Sequence, residues 1–80
     1  MNFKNTGWNV TGWTDEMKTQ WQEKMFSLGF RWPLKGDKVS HLYADSYTLY
    51  HDMEIAFSDE GALKYMPGYF TEMKWEDMQW

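Results

Sequence analysis

Apolar residues recur at helical spacing between residues 14 and 32 of this 80-residue chain. Intervals of four, four and three residues place four of them on one stripe, which we expect to face a sheet: Met17, Trp21, Met25 and Leu28. Three polar residues fall away from that stripe: Lys18, Gln22 and Glu23. Phe26 lies roughly opposite Met17, so it either packs under a second surface or is exposed for a partner.

The two ends of this helix are marked in the sequence. Thr14 is a good N-cap because its hydroxyl can accept a hydrogen bond from a free amide of the first turn. Asp15 and Glu16 then place negative charge at the positive end of the helix dipole. Gly29 suits the left-handed residue that ends many helices. We therefore predict a single helix with defined boundaries.

The remaining apolar residues alternate with polar ones over short runs, as in strands. The most distinct unit is a hairpin, in which residues 47–50 and 53–57 flank a tight connection at His51 and Asp52. Other segments complete the prediction: strands at 3–8, 30–32, 39–43 and 69–73, a short helical turn at 62–66, and a terminal turn of helix at 75–78.

These elements predict one α+β domain, residues 1–80, with the helix packed on one face of a mostly antiparallel sheet of about three to five strands. The predicted core contains Met17, Trp21, Met25, Leu28, Phe30, Trp32, Leu49, Ile55 and Phe57. Met53, Ile55 and Phe57 are expected to share one face of their strand, opposite Glu54 and Ala56.

Composition shows how so short a chain could stabilise a core. It has no cysteine, so disulfides cannot contribute, but it has six Trp, five Tyr, five Phe and seven Met. Each buried aromatic side chain removes roughly 150–250 Å² from water. Sixteen aromatic residues exceed what one helix and a small sheet easily bury. We expect an exposed aromatic cluster drawn from Trp8, Trp13, Phe26, Tyr43, Tyr65, Tyr69 and Trp80.

Charge is distributed unevenly along the chain. Residues 1–40 carry six basic and four acidic residues, whereas residues 41–80 carry two basic and eight acidic residues. An acidic second half argues against general binding to a phosphate backbone and suits a basic protein partner. It is equally consistent with an acidic face that only keeps the domain soluble. The absence of a long apolar run and of a signal-peptide pattern favours a cytoplasmic location.

Candidate sites for chemistry are sparse. A metal site at residues 51–54 is disfavoured because strand alternation sends His51 and Asp52 to opposite faces. Ser40 with His41, and Asp45 with Ser46, are sequence neighbours without the pattern of a nucleophile turn. The glycines do not follow a phosphate-binding spacing. We expect no catalytic residues, no metal and no cofactor.

Several short motifs together resemble a type of small accessory protein common in tailed bacteriophages. They follow the helix in this order: Leu28-Gly29-Phe30-Arg31-Trp32, Tyr47-Thr48-Leu49-Tyr50, Ile55-Ala56-Phe57 and Thr71-Glu72-Met73. Such phage proteins are often non-enzymatic binders of host proteins, including inhibitors of bacterial defence such as anti-CRISPR proteins. The resemblance implies a host protein as partner and carries over no catalytic residue.

The sequence-based hypothesis is thus a protein that binds and modulates or inhibits a host protein with a basic surface. The residues expected to make that contact are Tyr43, Asp45, Tyr50, Asp52, Glu54, Asp59 and Glu60. Two other functions stay open: a small nucleic-acid or nucleotide binder that uses stacked rings, and a structural module that associates with itself. The oligomeric state of the chain is left open between monomer and homodimer.

Overall fold

A computed structural model of the chain describes residues 2–59, 68, 70–78 and 80. One helix packs on a four-stranded sheet, which confirms the α+β prediction. In chain order the elements are β1 (Thr6–Asn9), α1 (Asp15–Ser27), β2 (Ser46–Leu49), β3 (Ile55–Ser58), β4 (Thr71–Met73) and a 3-10 turn (Trp75–Asp77). The strand order is β3-β2-β1-β4, so β3 and β4 are the two edges.

The sheet is mixed but mostly antiparallel. β1 pairs with β2, and β2 with β3, in antiparallel fashion, whereas β1 and β4 are parallel. The predicted hairpin is confirmed: Tyr47 lies opposite Phe57 and Leu49 opposite Ile55, with the connection around His51 and Asp52. The register fixes which side chains share a face, so Trp8, opposite Tyr47, points to the same side of the sheet.

Both ends of α1 form as the sequence predicts. The Thr14 hydroxyl accepts a hydrogen bond from the Met17 N–H at 3.1 Å. At the other end Gly29 has a φ of +102°, a conformation that side chains with a Cβ rarely adopt. A Cβ at this position would also lie 3.3 Å from the Met53 Cε atom. Gly29 therefore both ends the helix and lets the hairpin approach it.

The side of α1 that faces the sheet differs from the predicted stripe. Trp21 and Met25 are buried as expected, but Leu28 is 41% exposed and Met17 only partly covered. Lys18 and Gln22 take their place on the buried side, although both were expected to fall away from it. Their polar ends reach backbone groups of residues 40–44, which removes the usual cost of burying them. The helix is thus rotated relative to the prediction.

Aromatic rings fill the space between α1 and the sheet. The Trp21 ring stacks on Tyr47 with centroids 4.9 Å apart and meets Trp8 edge-on at 5.6 Å. Five further predicted core residues are buried: Met25, Phe30, Trp32, Leu49 and Ile55. Phe57 is the second error in the predicted core, since it is 37% exposed. It lies on the core face of an edge strand, where the helix does not cover it.

The predicted exposed aromatic residues divide into three groups. Trp8 is fully buried, and Trp13 and Phe26 pack against the core while remaining partly accessible. Tyr43 and Trp80 are exposed. Tyr65 and Tyr69 lie outside the described residues.

Several other predicted segments need correction, and one lies outside the described residues. Residues 39–43 are all described and form no strand, because side chains of α1 hold their backbone instead. Residues 30–32 make isolated bridges rather than a strand. The first strand begins at Thr6, three residues later than expected, and the last begins at Thr71. The terminal turn of helix is confirmed at residues 75–77, and the predicted turn at 62–66 lies outside the described residues.

Candidate functional site

A groove of about 350 Å³ opens beside strand β3. One wall is formed by residues 55–57 of β3, the other by residues 32–35 of the turn that follows α1, and His41 lies between them. We call it the edge groove. Its volume is in the range of small-molecule and peptide side-chain pockets. Leu34, at its rim, is 96% exposed.

Three rings line this groove and a fourth, Tyr43, packs beside them; together we call them the ring cluster: Trp32, His41, Tyr43 and Phe57. The His41 ring stacks on Phe57 with centroids 3.9 Å apart and an angle of 15° between the planes. Tyr43 meets Phe57 edge-on at 5.6 Å, and Trp32 meets His41 edge-on at 4.6 Å. Trp32 is buried, whereas Tyr43 is 64% exposed. The cluster thus runs from the core to the surface.

Helix α1 positions this cluster through two buried polar side chains. The Lys18 ammonium donates to the carbonyls of Leu42 at 2.6 Å and Ala44 at 2.9 Å, on either side of Tyr43. The Gln22 amide accepts from the Trp32 indole N–H at 3.0 Å and from the Ser40 N–H at 2.9 Å. These bonds fix a segment that has no strand pairing of its own.

Tyr47 supplies a third support from the sheet. Its hydroxyl donates to the His41 carbonyl at 2.8 Å and accepts from the Gln22 amide at 3.1 Å. Burial raises the pKa of Tyr47 to about 12, with the Gln22 hydrogen bond opposing that rise and the Asp15 charge adding to it. The hydroxyl therefore keeps its proton throughout the physiological range and stays a donor to His41.

His41 itself has a specific conformation and environment. Its φ is +55°, so it occupies the left-handed region that turns the chain between Ser40 and Tyr43. Its Nδ1 lies 3.2 Å from the Tyr43 hydroxyl. Burial, followed by the nearby Lys35 charge, lowers the pKa of His41 below the usual 6.5. The ring is therefore mostly neutral at pH 7.

The seven residues predicted for partner binding fall into two groups. Asp45 directly precedes β2 and Asp59 directly follows β3, and because Ser46 pairs with Ser58 both acids lie at one end of the hairpin. Tyr43, in the ring cluster, is at that same end. Glu60 lies outside the described residues.

The second group is at the hairpin turn: Tyr50, Asp52 and Glu54. The four residues of each strand separate it from the first group by about 13 Å. Here Asp52 has a local role, since its Oδ1 accepts from the Glu54 N–H at 3.2 Å. Tyr50 is half-buried, with its ring edge-on to Phe70 at 5.3 Å. The acids and tyrosines therefore form two patches rather than one surface.

Three residues that line the groove were not identified from the sequence. They are Leu34, His41 and Phe57, the last of which was expected in the core. A usable signal was Pro33-Leu34 within a polar turn, where an apolar side chain has no core to enter. A separate exposed ring group lies elsewhere, where Trp75 packs 5.1 Å from Trp13 and 4.8 Å from Trp80.

Other kinds of site are not found in the part of the chain that the structure describes. Its His, Asp and Glu residues form no group of three or more that could hold a metal ion. Its helices fall short of the length and apolar character that crossing a membrane requires. No protein-family model, curated protein or solved structure matches the chain.

Proposed function

We propose that this chain is a non-enzymatic binding protein that contacts a basic surface of another protein through Tyr43 and its acidic neighbours. The observation that supports this proposal is that Tyr43 is 64% exposed while both its ring and its backbone are held in place. Exposed aromatic residues that are already ordered lose little conformational entropy on binding, and Tyr is enriched among interface residues that dominate affinity.

The charges around Tyr43 suit a basic partner. Asp45 and Asp59 lie at the same end of the hairpin, so a Lys or Arg of the partner could reach a carboxylate while its neighbours pack on the tyrosine ring. The patch at the hairpin turn, with Tyr50, Asp52 and Glu54, would form an outlying contact or add to electrostatic steering.

The resemblance to small phage accessory proteins supports a bacterial host protein as the partner, with modulation or inhibition, including of a defence protein, as the outcome. Binding would then take place in the host cytoplasm. An 80-residue binder acts by covering a functional surface of its target, which requires no chemistry of its own.

Affinity capture from a nuclease-treated bacterial lysate, read by mass spectrometry, tests the proposal. We expect one protein in near-stoichiometric amount. Its recovery should fall with Tyr43→Ala and with the double charge reversal Asp45→Lys/Asp59→Lys. Matched controls are Trp80→Ala, which removes an exposed ring from the separate group, and Glu23→Lys/Glu76→Lys, which makes the same charge change at exposed positions elsewhere.

Three results would contradict the proposal. Capture that survives both variants would exclude this surface. Loss of every partner after nuclease treatment would indicate a nucleic-acid binder. Recovery of the bait alone, together with a mass that rises with concentration, would indicate self-association.

A further inference from the structure

Strand β3 has an edge that the sheet does not pair, and the directions of its hydrogen bonds identify it. The Tyr50 N–H donates to the Glu54 carbonyl at 3.0 Å, so Glu54 faces β2. The Ile55 N–H instead donates to the Arg31 carbonyl at 2.9 Å, on the outer side. Because backbone groups of consecutive strand residues alternate in direction, Phe57 also presents its N–H and C=O outward.

Arg31 covers the beginning of this edge. Its N–H donates to the Met53 carbonyl at 2.9 Å and its carbonyl accepts from Ile55, which forms a parallel bridge to Glu54. In a parallel ladder the next donor would come from residue 33, but Pro33 has no N–H. The chain then turns away, and Trp32 pairs with Gly36 instead. The pairing therefore stops after a single bridge. No described residue bonds the outward-facing N–H and C=O of Phe57.

The edge groove runs along this same unpaired stretch. Residues 55, 56 and 57 all line it, although alternate side chains of a strand point to opposite faces. The groove therefore follows the edge of the strand, from the fully buried Ile55 to Phe57, which is 37% exposed. An apolar depression thus lies beside the outward-facing backbone N–H and C=O of Phe57.

The charge of the groove selects among possible occupants. Among the described residues that line it, Lys35 carries the main charge at pH 7, because the lowered pKa of His41 leaves that ring mostly neutral. An occupant should therefore combine an apolar side chain for the groove with a carboxylate for Lys35. A second copy of this chain fits less well, because pairing through the same edge would bring its own positively charged Lys35 to the contact.

We propose that the edge of β3 binds an extended segment of the protein partner as an added strand, with an apolar side chain in the edge groove and an acidic side chain at Lys35. This inference rests on the proposed function and defines how the partner is held. In such complexes backbone hydrogen bonds supply affinity, and pockets for alternate side chains supply specificity. Arg31 already makes the first two of these bonds within the chain, and the bound segment continues the ladder past Pro33.

Selection of random seven-residue peptides on the purified protein tests the inference. The enriched peptides should have apolar residues at alternate positions and an acidic residue near one end. Lys35→Glu should weaken their binding about fivefold, as the loss of an accessible ion pair allows. Lys38→Glu makes the same charge change three residues away, outside the lining of the groove, and should leave binding unchanged.

N-methylation of the selected peptide separates strand addition from simple apolar contact. Methylating an amide that faces β3 removes a hydrogen bond and should reduce affinity about tenfold, or about 1.4 kcal/mol. Methylating the next amide, which faces away, should not. In NMR spectra the largest amide shifts are expected at residues 55–57. Equal effects of the two methylations, shifts centred elsewhere, no enriched peptide, or a homodimer through this edge would each overturn the inference.

The failures of the two proposals are distinguishable. If the captured partner depends on Tyr43 but is not displaced by the selected peptide, the strand-addition inference is wrong and the proposed function stands. Displacement of the partner by the peptide supports both.

Discussion

The side-chain amide of Gln22 satisfies both backbone groups of Ser40: its Oε1 accepts from the Ser40 N–H at 2.9 Å, and its Nε2 donates to the Ser40 carbonyl at 2.7 Å. The same amide also bonds Trp32 and Tyr47. Gln22 is fully buried. Its four bonds join the helix, the turn after it, the segment before β2 and the sheet at one point.

Gln22→Ala should therefore destabilise the domain strongly. Removing the amide leaves several buried donors and acceptors without partners, and each such group costs about 1–3 kcal/mol. Local relaxation and water will recover part of this, so we expect a loss of about 2–4 kcal/mol in the free energy of unfolding.

Urea denaturation of the two variants Gln22→Ala and Gln20→Ala measures this effect. Gln20 is exposed on the same helix, so the identical substitution there should change stability by about 0.5 kcal/mol or less. Equal stabilities for the two variants would show that the Gln22 network contributes nothing.

Trp21 is the central apolar contact between helix and sheet. It is fully buried between Tyr47 and Trp8, and Trp21→Ala should cost about 3–5 kcal/mol. Its indole N–H is buried without a hydrogen-bond partner in the described part of the chain, so Trp21→Phe should cost distinctly less. Thermal or urea unfolding would measure both. Trp80→Ala, at a ring that is 57% exposed, is the control, and a Trp21→Ala variant that melts like the parent would contradict the packing described here.

The helix and the hairpin could be predicted from the sequence because their signals are local. Thr14, Gly29 and the turn at His51-Asp52 each act on neighbouring residues, and each behaves as predicted. The burial of Lys18 and Gln22 could not be predicted in this way. Their hydrogen-bond partners come from residues 40–44 and from Tyr47, some 18 to 26 residues away, and periodicity alone treats both side chains as solvent-facing.

The candidate site was predictable only in part for a related reason. The exposure of Tyr43 was anticipated, and Asp45 and Asp59 do lie at the same end of the hairpin. The alternation that assigned Phe57 to the core gave the correct face but could not reveal that β3 is an edge strand. On an edge, the same face is covered by whatever segment folds over it. Here that segment is His41, stacked on Phe57, and a groove remains beside it.

His41 should make the protein less stable as pH falls through 6.5. Its native pKa lies below the unfolded value of 6.5, owing first to burial and then to Lys35. As pH falls through 6.5, the unfolded chain takes up a proton that the native ring does not, so unfolding becomes more favourable until the native pKa is reached. The groups facing the ring that could alter this are Lys35 and Tyr43, while the Tyr47 hydroxyl bonds the backbone carbonyl of His41.

Urea denaturation at a series of pH values, on the parent and on His41→Asn, measures this contribution. Asparagine tolerates the φ of +55° at this position and does not titrate. The loss of stability between pH 7.5 and 5 should be smaller in His41→Asn than in the parent. His51→Asn, at the exposed hairpin turn, is the control and should follow the parent. Parallel curves for the parent and His41→Asn would show that the His41 environment does not act in this way.

Lys18 connects the stability of the fold to the proposed binding surface. Its ammonium bonds the carbonyls of Leu42 and Ala44, the residues that flank Tyr43, and it is buried where no partner could touch it. Lys18→Met keeps the length of the side chain and removes both bonds, which frees the backbone around Tyr43. We expect a loss of about 1–3 kcal/mol in stability and, in a domain that still folds, about a tenfold loss of affinity for the captured partner.

Lys24→Met is the matched control for this prediction. It makes the same substitution on the same helix, at an ammonium that reaches only a long hydrogen bond of 3.5 Å to the carbonyl of Trp80 among the described residues. Its affinity should equal that of the parent. Circular dichroism at the assay temperature verifies that each variant is folded, so reduced binding by Lys18→Met then reports the disorder of Tyr43 rather than unfolding. Undiminished binding would mean that the partner does not require Tyr43 to be held in advance, and the argument from preorganisation would fail.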